Sequence, residues 1–155
     1  MYSMWLTEEQ QQIWRNYLVM TSRLQSAMQR QLQQDCELSL SDYDVLVALA
    51  ERGPLRINEL GEALAWEQSR LSHQLRRMRG RGLVERQGSD DDRRGASVEL
   101  TDGGRSALAL AAPGHAELVR RVMFDGMSPA RLRAFGAMAE AVAQRLTTSQ
   151  TRRTS

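Results

Sequence analysis

The feature that most restricts the fold lies between Gly53 and Leu100, where two short helical patterns are followed at once by two strand-like segments. Ile57, Leu60, Ala63 and Leu64 give the first helical pattern its apolar side. Leu71, Leu75 and Met78 do the same for the second, which spans Glu67–Arg79 before Gly82 breaks it. Spacings of three and four place each apolar set on one helix face. Leu83–Gln87 and Ala96–Leu100 read as strands. In the latter, Ala96, Val98 and Leu100 alternate with Ser97 and Glu99, the period of a half-buried strand. Residues 88–95 between them are polar and bounded by glycines, so the two strands close into a hairpin with a charged tip.

The rest of the chain is helical around this unit. Thr7–Leu32 reads as one long helix, capped by Thr7 with Gln10 completing a capping box. Ile13, Tyr17, Met20, Leu24 and Ala27/Met28 form its apolar face, and residues 33–37 lose the rhythm and read as a loop. A second helix starts at Ser41 with Asp44 at its third position. It buries Leu46, Val47, Leu49 and Ala50 and stops at Gly53-Pro54. After the hairpin a helix runs from about Arg105 to Phe124, and Pro113 is expected to kink or interrupt it. Ser128-Pro129 is a helix start, and Leu132, Phe135, Met138, Val142 and Leu146 carry the final helix. From Thr147 the tail TTSQTRRTS has no apolar residue and is expected to be disordered. The class is mainly α with a two-stranded hairpin, without internal repeats.

Composition excludes several functions. The 155 residues are 41% hydrophobic and 26% charged, as in ordinary globular proteins. No apolar run approaches the roughly 18 residues that span a bilayer, and Met1–Gln12 carries no signal-peptide pattern. A cytoplasmic protein is the default expectation. With one cysteine, Cys36, and two histidines, His73 and His115, neither a disulfide framework nor a Cys-rich zinc site can be built. No Gly-rich phosphate loop and no Gly-x-Ser-x-Gly elbow is present, so neither an enzyme nor a bound cofactor is expected.

The charge distribution points elsewhere. All 21 basic residues are arginine, against 19 acids, for a net charge of +2. Between Trp66 and Arg86 lie six arginines (70, 76, 77, 79, 81 and 86) and two acids, Glu67 and Glu85. A basic stretch on a near-neutral body is the footprint of nucleic-acid binding, although a solvated helix face has the same composition. Two helices joined by a tight turn and followed by a hairpin make a winged helix-turn-helix. Such a fold places its second helix in the major groove and its wing against phosphates or the minor groove. With Leu71, Leu75 and Met78 inward, Ser69, Ser72, His73 and Arg76 share one exposed stripe flanked by Arg70 and Arg77.

The stretch from Gly82-Leu83-Val84 through Asp92-Arg93-Arg94-Gly95 to Val98-Glu99-Leu100-Thr101 and Gly104 resembles the wing pattern of the MarR family of bacterial repressors. The flanking helix order is similar as well, to about Leu146. The resemblance implies that Arg94 is the wing arginine entering the minor groove, with Asp92 holding it or the hairpin in shape. It implies that Ser69, Arg70, His73 and Arg76 meet bases or phosphates. Arg93 departs from the pattern by adding an adjacent arginine, Asp90 and Asp91 add negative charge at the tip, and Trp66-Glu67 replaces a smaller capping residue. The resemblance further implies a homodimer. Residues 1–40 and 102–146 would form its dimerisation module, 41–101 the DNA-binding domain and 147–155 a disordered tail. Two recognition helices roughly 34 Å apart would read an inverted-repeat, palindromic operator in double-stranded DNA, and a small phenolic or aromatic effector could release it.

Several residues keep two readings. Trp14 and Tyr17 either line a pocket for an aromatic ligand or belong to the core or dimer interface. Cys36 invites a redox reading, but Asp35 and Glu37 beside it should raise its pKa, which favours a plain loop cysteine. His115 reads as structural rather than as a ligand contact. Two rival functions are a winged-helix module that docks a protein partner and a nonspecific DNA-coating protein.

Overall fold

The structure is a computed structural model that describes residues 5–88 and 96–151, the side chains of 148–151 excepted. Helix α1 spans Glu8–Cys36. The Thr7 hydroxyl accepts the Gln10 N–H at 3.1 Å, and the Gln10 side chain accepts the Thr7 N–H at 3.0 Å, so the capping box forms as read. The helix does not end at Leu32. Residues 33–35 lost the apolar rhythm because they face solvent, whereas Leu32 and Cys36 keep the inward spacing of four. Glu37, in the left-handed conformation with φ 56°, ends the helix.

Helix α2 covers Leu40–Arg52 and is capped by Ser39, not by Ser41. The Ser39 hydroxyl accepts the Asp42 N–H at 3.0 Å, and the Asp42 carboxylate accepts the Ser39 N–H at 2.9 Å. This corrected start turns Tyr43, Val45, Leu46, Ala48 and Leu49 inward, leaving Val47 half-buried and Ala50 exposed. Gly53, at φ 75°, ends the helix.

The sheet has three strands rather than the two expected. Strand β1, Leu55–Arg56, precedes helices α3 (Ile57–Leu64) and α4 (Gln68–Gly80), and strands β2 (Val84–Gln87) and β3 (Ser97–Leu100) follow. All pairs are antiparallel, in the order β1-β3-β2, with Leu55 opposite Val98 and Val84 opposite Leu100. Two residues are too few to show a strand period, so β1 exists only because β3 supplies its ladder. Leu32, Leu46, Leu60, Leu71 and Met78 are sealed in the core, which Val84, Val98 and Leu100 extend to the sheet.

Helix α5 spans Asp102–Val119, begins before Arg105 and continues without a break through Pro113. The missing N–H forfeits one hydrogen bond, and at Gly114 the helix passes close to α1. A Cβ on Gly114 would lie 2.6 Å from Gln31 Nε2 and 3.0 Å from Asp35 Oδ2, so a larger residue here would have to displace the ends of those two side chains. A π-helical turn, Arg120–Phe124, follows α5, and α6 occupies Pro129–Thr151. The last helix therefore passes Leu146, which corrects the disordered tail over 147–151. Extending an existing helix adds one hydrogen bond per residue and needs no apolar side chain, and Thr147 Oγ1 donates to the Ala143 carbonyl at 3.1 Å. Residues 152–155 lie outside the described ones.

Two compact units emerge, Met1–His115 and Ala116–Ser155. The first contains the sheet and its core. In the second, Leu132, Met138, Val142 and Leu146 are all exposed. No helix among the described residues is long and apolar enough to cross a membrane.

Candidate nucleic-acid interface

The surface of interest is built on α4. Leu71, Gln74, Leu75 and Met78 face the core, while Ser69, Arg70, Ser72, His73, Arg76, Arg77 and Arg79 are exposed. The apolar spacing therefore oriented the helix correctly and brought the predicted residues onto its outer side. Glu67 occupies the N-cap without a side-chain cap hydrogen bond. Trp66 secures this corner instead. Its N–H donates to the Gly61 carbonyl at 3.0 Å, its ring packs on the core, and the Arg70 guanidinium lies 4.1 Å above that ring. Burial raises the pKa of nearby Asp44, and the charge of Arg70 opposes that shift.

A buried polar network, not foreseen from the sequence, fixes the C-terminal half of α4. Asp42 and Gln74 are 5% and 3% exposed. Gln74 Nε2 donates to Asp42 Oδ1 at 2.6 Å, and Arg77 Nη2 donates to Gln74 Oε1 at 2.7 Å. Arg81 donates through Nη1 to Asp42 Oδ2 at 2.9 Å and through Nη2 to the Glu37 carbonyl at 2.7 Å. A buried carboxylate is tolerated only when paired and hydrogen-bonded in this way. The available signal was Gln74 itself, a polar residue lying between Leu71 and Met78 on the apolar stripe.

The base of the wing is clamped to the start of α5. Thr101 Oγ1 donates to the Gly82 carbonyl at 2.5 Å and accepts the Gly104 N–H at 2.9 Å, while the Thr101 N–H donates to the Leu83 carbonyl at 3.2 Å. Any Cβ on Gly104 would overlap the Leu83 carbonyl. Gly82-Leu83 and Thr101-x-x-Gly104 are thus one structural clamp that sets where the hairpin leaves the body. Asp92, Arg93 and Arg94 lie outside the described residues.

The remaining candidates fall elsewhere. Trp14 and Tyr17 stack with ring centroids 5.5 Å apart but stand 51% and 45% exposed, so neither belongs to the core of this chain. They do not line the 410 Å³ cavity of the first unit, which is bounded by Leu49, Pro54, Leu100, Arg105, Leu108 and Ala112 among others. Cys36 sits at the end of α1 rather than in a loop, and its thiol donates to the Leu32 carbonyl at 3.1 Å. Burial, and then the charge of Asp35, push its pKa up against the lowering effect of the Leu38 backbone. His115 packs on Tyr43 with centroids 4.4 Å apart, and burial lowers its pKa.

A three-stranded sheet, a helix-turn-helix with a basic outer face and a hairpin clamped beside it define a winged helix-turn-helix protein. The profile of the MarR family matches residues 37–95. The fold is similar to that of Sco3205, a MarR family transcriptional regulator from Streptomyces coelicolor whose crystal structure is in complex with DNA. Identity is 38% and the TM-score 0.86, over 93% of this chain and 91% of that one. It is similar also to AbsC, a MarR family transcriptional regulator from the same organism, at 32% identity and TM-score 0.86 over 94% and 99% of the two chains. An uncharacterized HTH-type transcriptional regulator of Bacillus subtilis, YfiV, is 29% identical over 117 residues, 74% of this chain and 72% of that one. This chain belongs to the MarR family of transcriptional regulators.

Proposed function

We propose that the protein is a homodimeric repressor that binds an inverted-repeat operator through α4 and the wing. The observation that carries this reading is the outer face of α4, where Ser69, Ser72, His73 and Arg76 are exposed side by side between Arg70 and Arg77. Arginines, serines and an imidazole on one helix face match the donor and acceptor pattern of major-groove edges and phosphates. Arg93 and Arg94 extend this contact from the wing tip, with Asp92 shaping the hairpin. That Sco3205, 38% identical, has been crystallised with DNA supports the same partner here.

Dimerisation rests on apolar surface. Ile13, Trp14, Tyr17 and Leu18 on α1, and Leu132 and Met138 on α6, are all exposed, which is costly in an isolated chain. A second copy would cover them, so α1, α5 and α6 form the dimerisation module and residues 41–101 the DNA-binding domain. Two α4 helices roughly 34 Å apart then meet successive turns of the duplex. Binding there blocks polymerase in the cytoplasm. A small aromatic effector that favours one dimer arrangement releases the DNA. The rival reading, a protein-docking wing, would need an apolar outer stripe on α4, where the exposed positions are polar and charged.

Fluorescence anisotropy against the protein's own upstream region and a scrambled duplex tests the reading. Preferential binding of the upstream region is expected. Arg76→Ala should weaken it about tenfold or more, as loss of a bidentate base contact does. Equal affinity for both duplexes favours nonspecific coating, and absence of binding to either at low salt overturns the proposal.

A further inference from the structure

The contacts around α4 set Arg77 apart from Arg76 and Arg79. The side chains of Arg76 and Arg79 make no hydrogen bond or ion pair among the described residues. Arg77 is different, because it ends a chain of hydrogen bonds that starts at a buried carboxylate. Both oxygens of Asp42 are engaged, Oδ1 by Gln74 Nε2 and Oδ2 by Arg81 Nη1 and the Ser39 N–H. The Gln74 amide is thereby fixed, since turning it over would face its oxygen to the carboxylate and its NH₂ to the guanidinium. In so enclosed a place that would strand charged groups. Its oxygen accordingly points at Arg77 and takes one guanidinium donor at 2.7 Å. A guanidinium has five donors in a rigid fork, so most of this group stays available on the exposed edge of the helix.

We propose that Asp42 and Gln74 are positioning residues for DNA binding, which hold Arg77 pre-ordered in the free protein as a clamp for a backbone phosphate. Arg77 flanks the stripe of Ser69, Ser72 and Arg76 rather than lying on it, which suits a contact to the phosphate backbone beside the bases. The side-chain order that a phosphate contact needs is already supplied by folding, so it is not lost again on binding. This inference rests on the assignment of Arg77 to the DNA surface made above.

The test is a double-mutant cycle on the full chain. Wild type, Arg77→Ala, Gln74→Met and the double variant are titrated against the upstream duplex between about 50 and 200 mM salt. Arg77→Ala should weaken binding and reduce the salt slope by about one, because a phosphate charge contact is gone. Gln74→Met keeps that charge and removes its order, so it should weaken binding about two- to tenfold with the slope unchanged. In the Arg77→Ala background, Gln74→Met should have no further effect. An equal Gln74→Met loss in both backgrounds would mean a merely structural role and overturns the proposal. A silent Arg77→Ala, in a protein that still binds the duplex, overturns it by removing Arg77 from the interface while leaving the broader function intact. Should Gln74→Met lose its cooperative thermal melt, Asp42→Asn, which preserves shape, is carried through the same cycle and judged by the same coupling.

Discussion

His115 shows how one side chain acquires a property that its sequence neighbours do not reveal. Its ring lies on Tyr43, its Nδ1 is buried without a partner among the described residues, and burial lowers its pKa below the ordinary 6.5. Below about pH 6.5 the unfolded chain takes up a proton that the folded chain resists, so stability falls as pH drops toward the folded pKa. Above the unfolded value of about 6.5 the group contributes no slope. The thermal midpoint should therefore decrease from about pH 7 to about pH 5, and His115→Phe, which keeps the ring contact, should flatten this part of the profile. A steeper profile in the variant would refute the assignment. Gly104 is a second such residue. Because a Cβ there would meet the Leu83 carbonyl, a backbone atom, Gly104→Ala should cost about 2 kcal/mol or more in urea denaturation. The outward residues of α4 were legible, since the apolar spacing of Leu71, Leu75 and Met78 fixes which side is left. Gln74 and Asp42 were not, because a buried polar residue looks like an exposed one until its partner is known.

Elements were readable in proportion to how local their causes are. The Thr7 capping box, α4, and both long strands follow from spacings within a few residues, and each occurs within a residue or two of its expected bounds. The α2 cap went to Ser39 because Asp42 there closes a reciprocal box and also reaches Gln74 and Arg81, so a distant contact chose between two serines. Pro113 does not interrupt the helix, since α5 continues through it. The missing N–H should be a net loss in this setting. Pro113→Ala is expected to stabilise the fold by about 1–3 kcal/mol, seen as a higher midpoint in chemical denaturation. A destabilised variant would mean that the proline's rigidity is worth more than the restored hydrogen bond.

At the scale of the molecule, the proposed dimer would cover the exposed apolar residues of α1 and α6. Ile13 is 62% exposed, so replacing it should leave the monomer fold intact and act only between copies. Ile13→Glu should shift the protein from dimer toward monomer in sedimentation velocity and lower its affinity for an inverted repeat more than for a half-site. A dimer unaffected by the change would move the interface elsewhere. The helical class, the order of elements around a hairpin, the basic outer face of α4 and the resemblance carried by the wing motif were all present in the amino-acid sequence. Each depends on side-chain periodicity or turn chemistry over a few positions. The third strand, the Asp42–Gln74–Arg77 relay, the clamp of Thr101 on Gly82 and the exposure of Trp14 and Tyr17 were decided by the folded chain. Those features need groups far apart in sequence to meet, 32 residues apart for Asp42 and Gln74, and long-range pairing leaves no period in the chain to read.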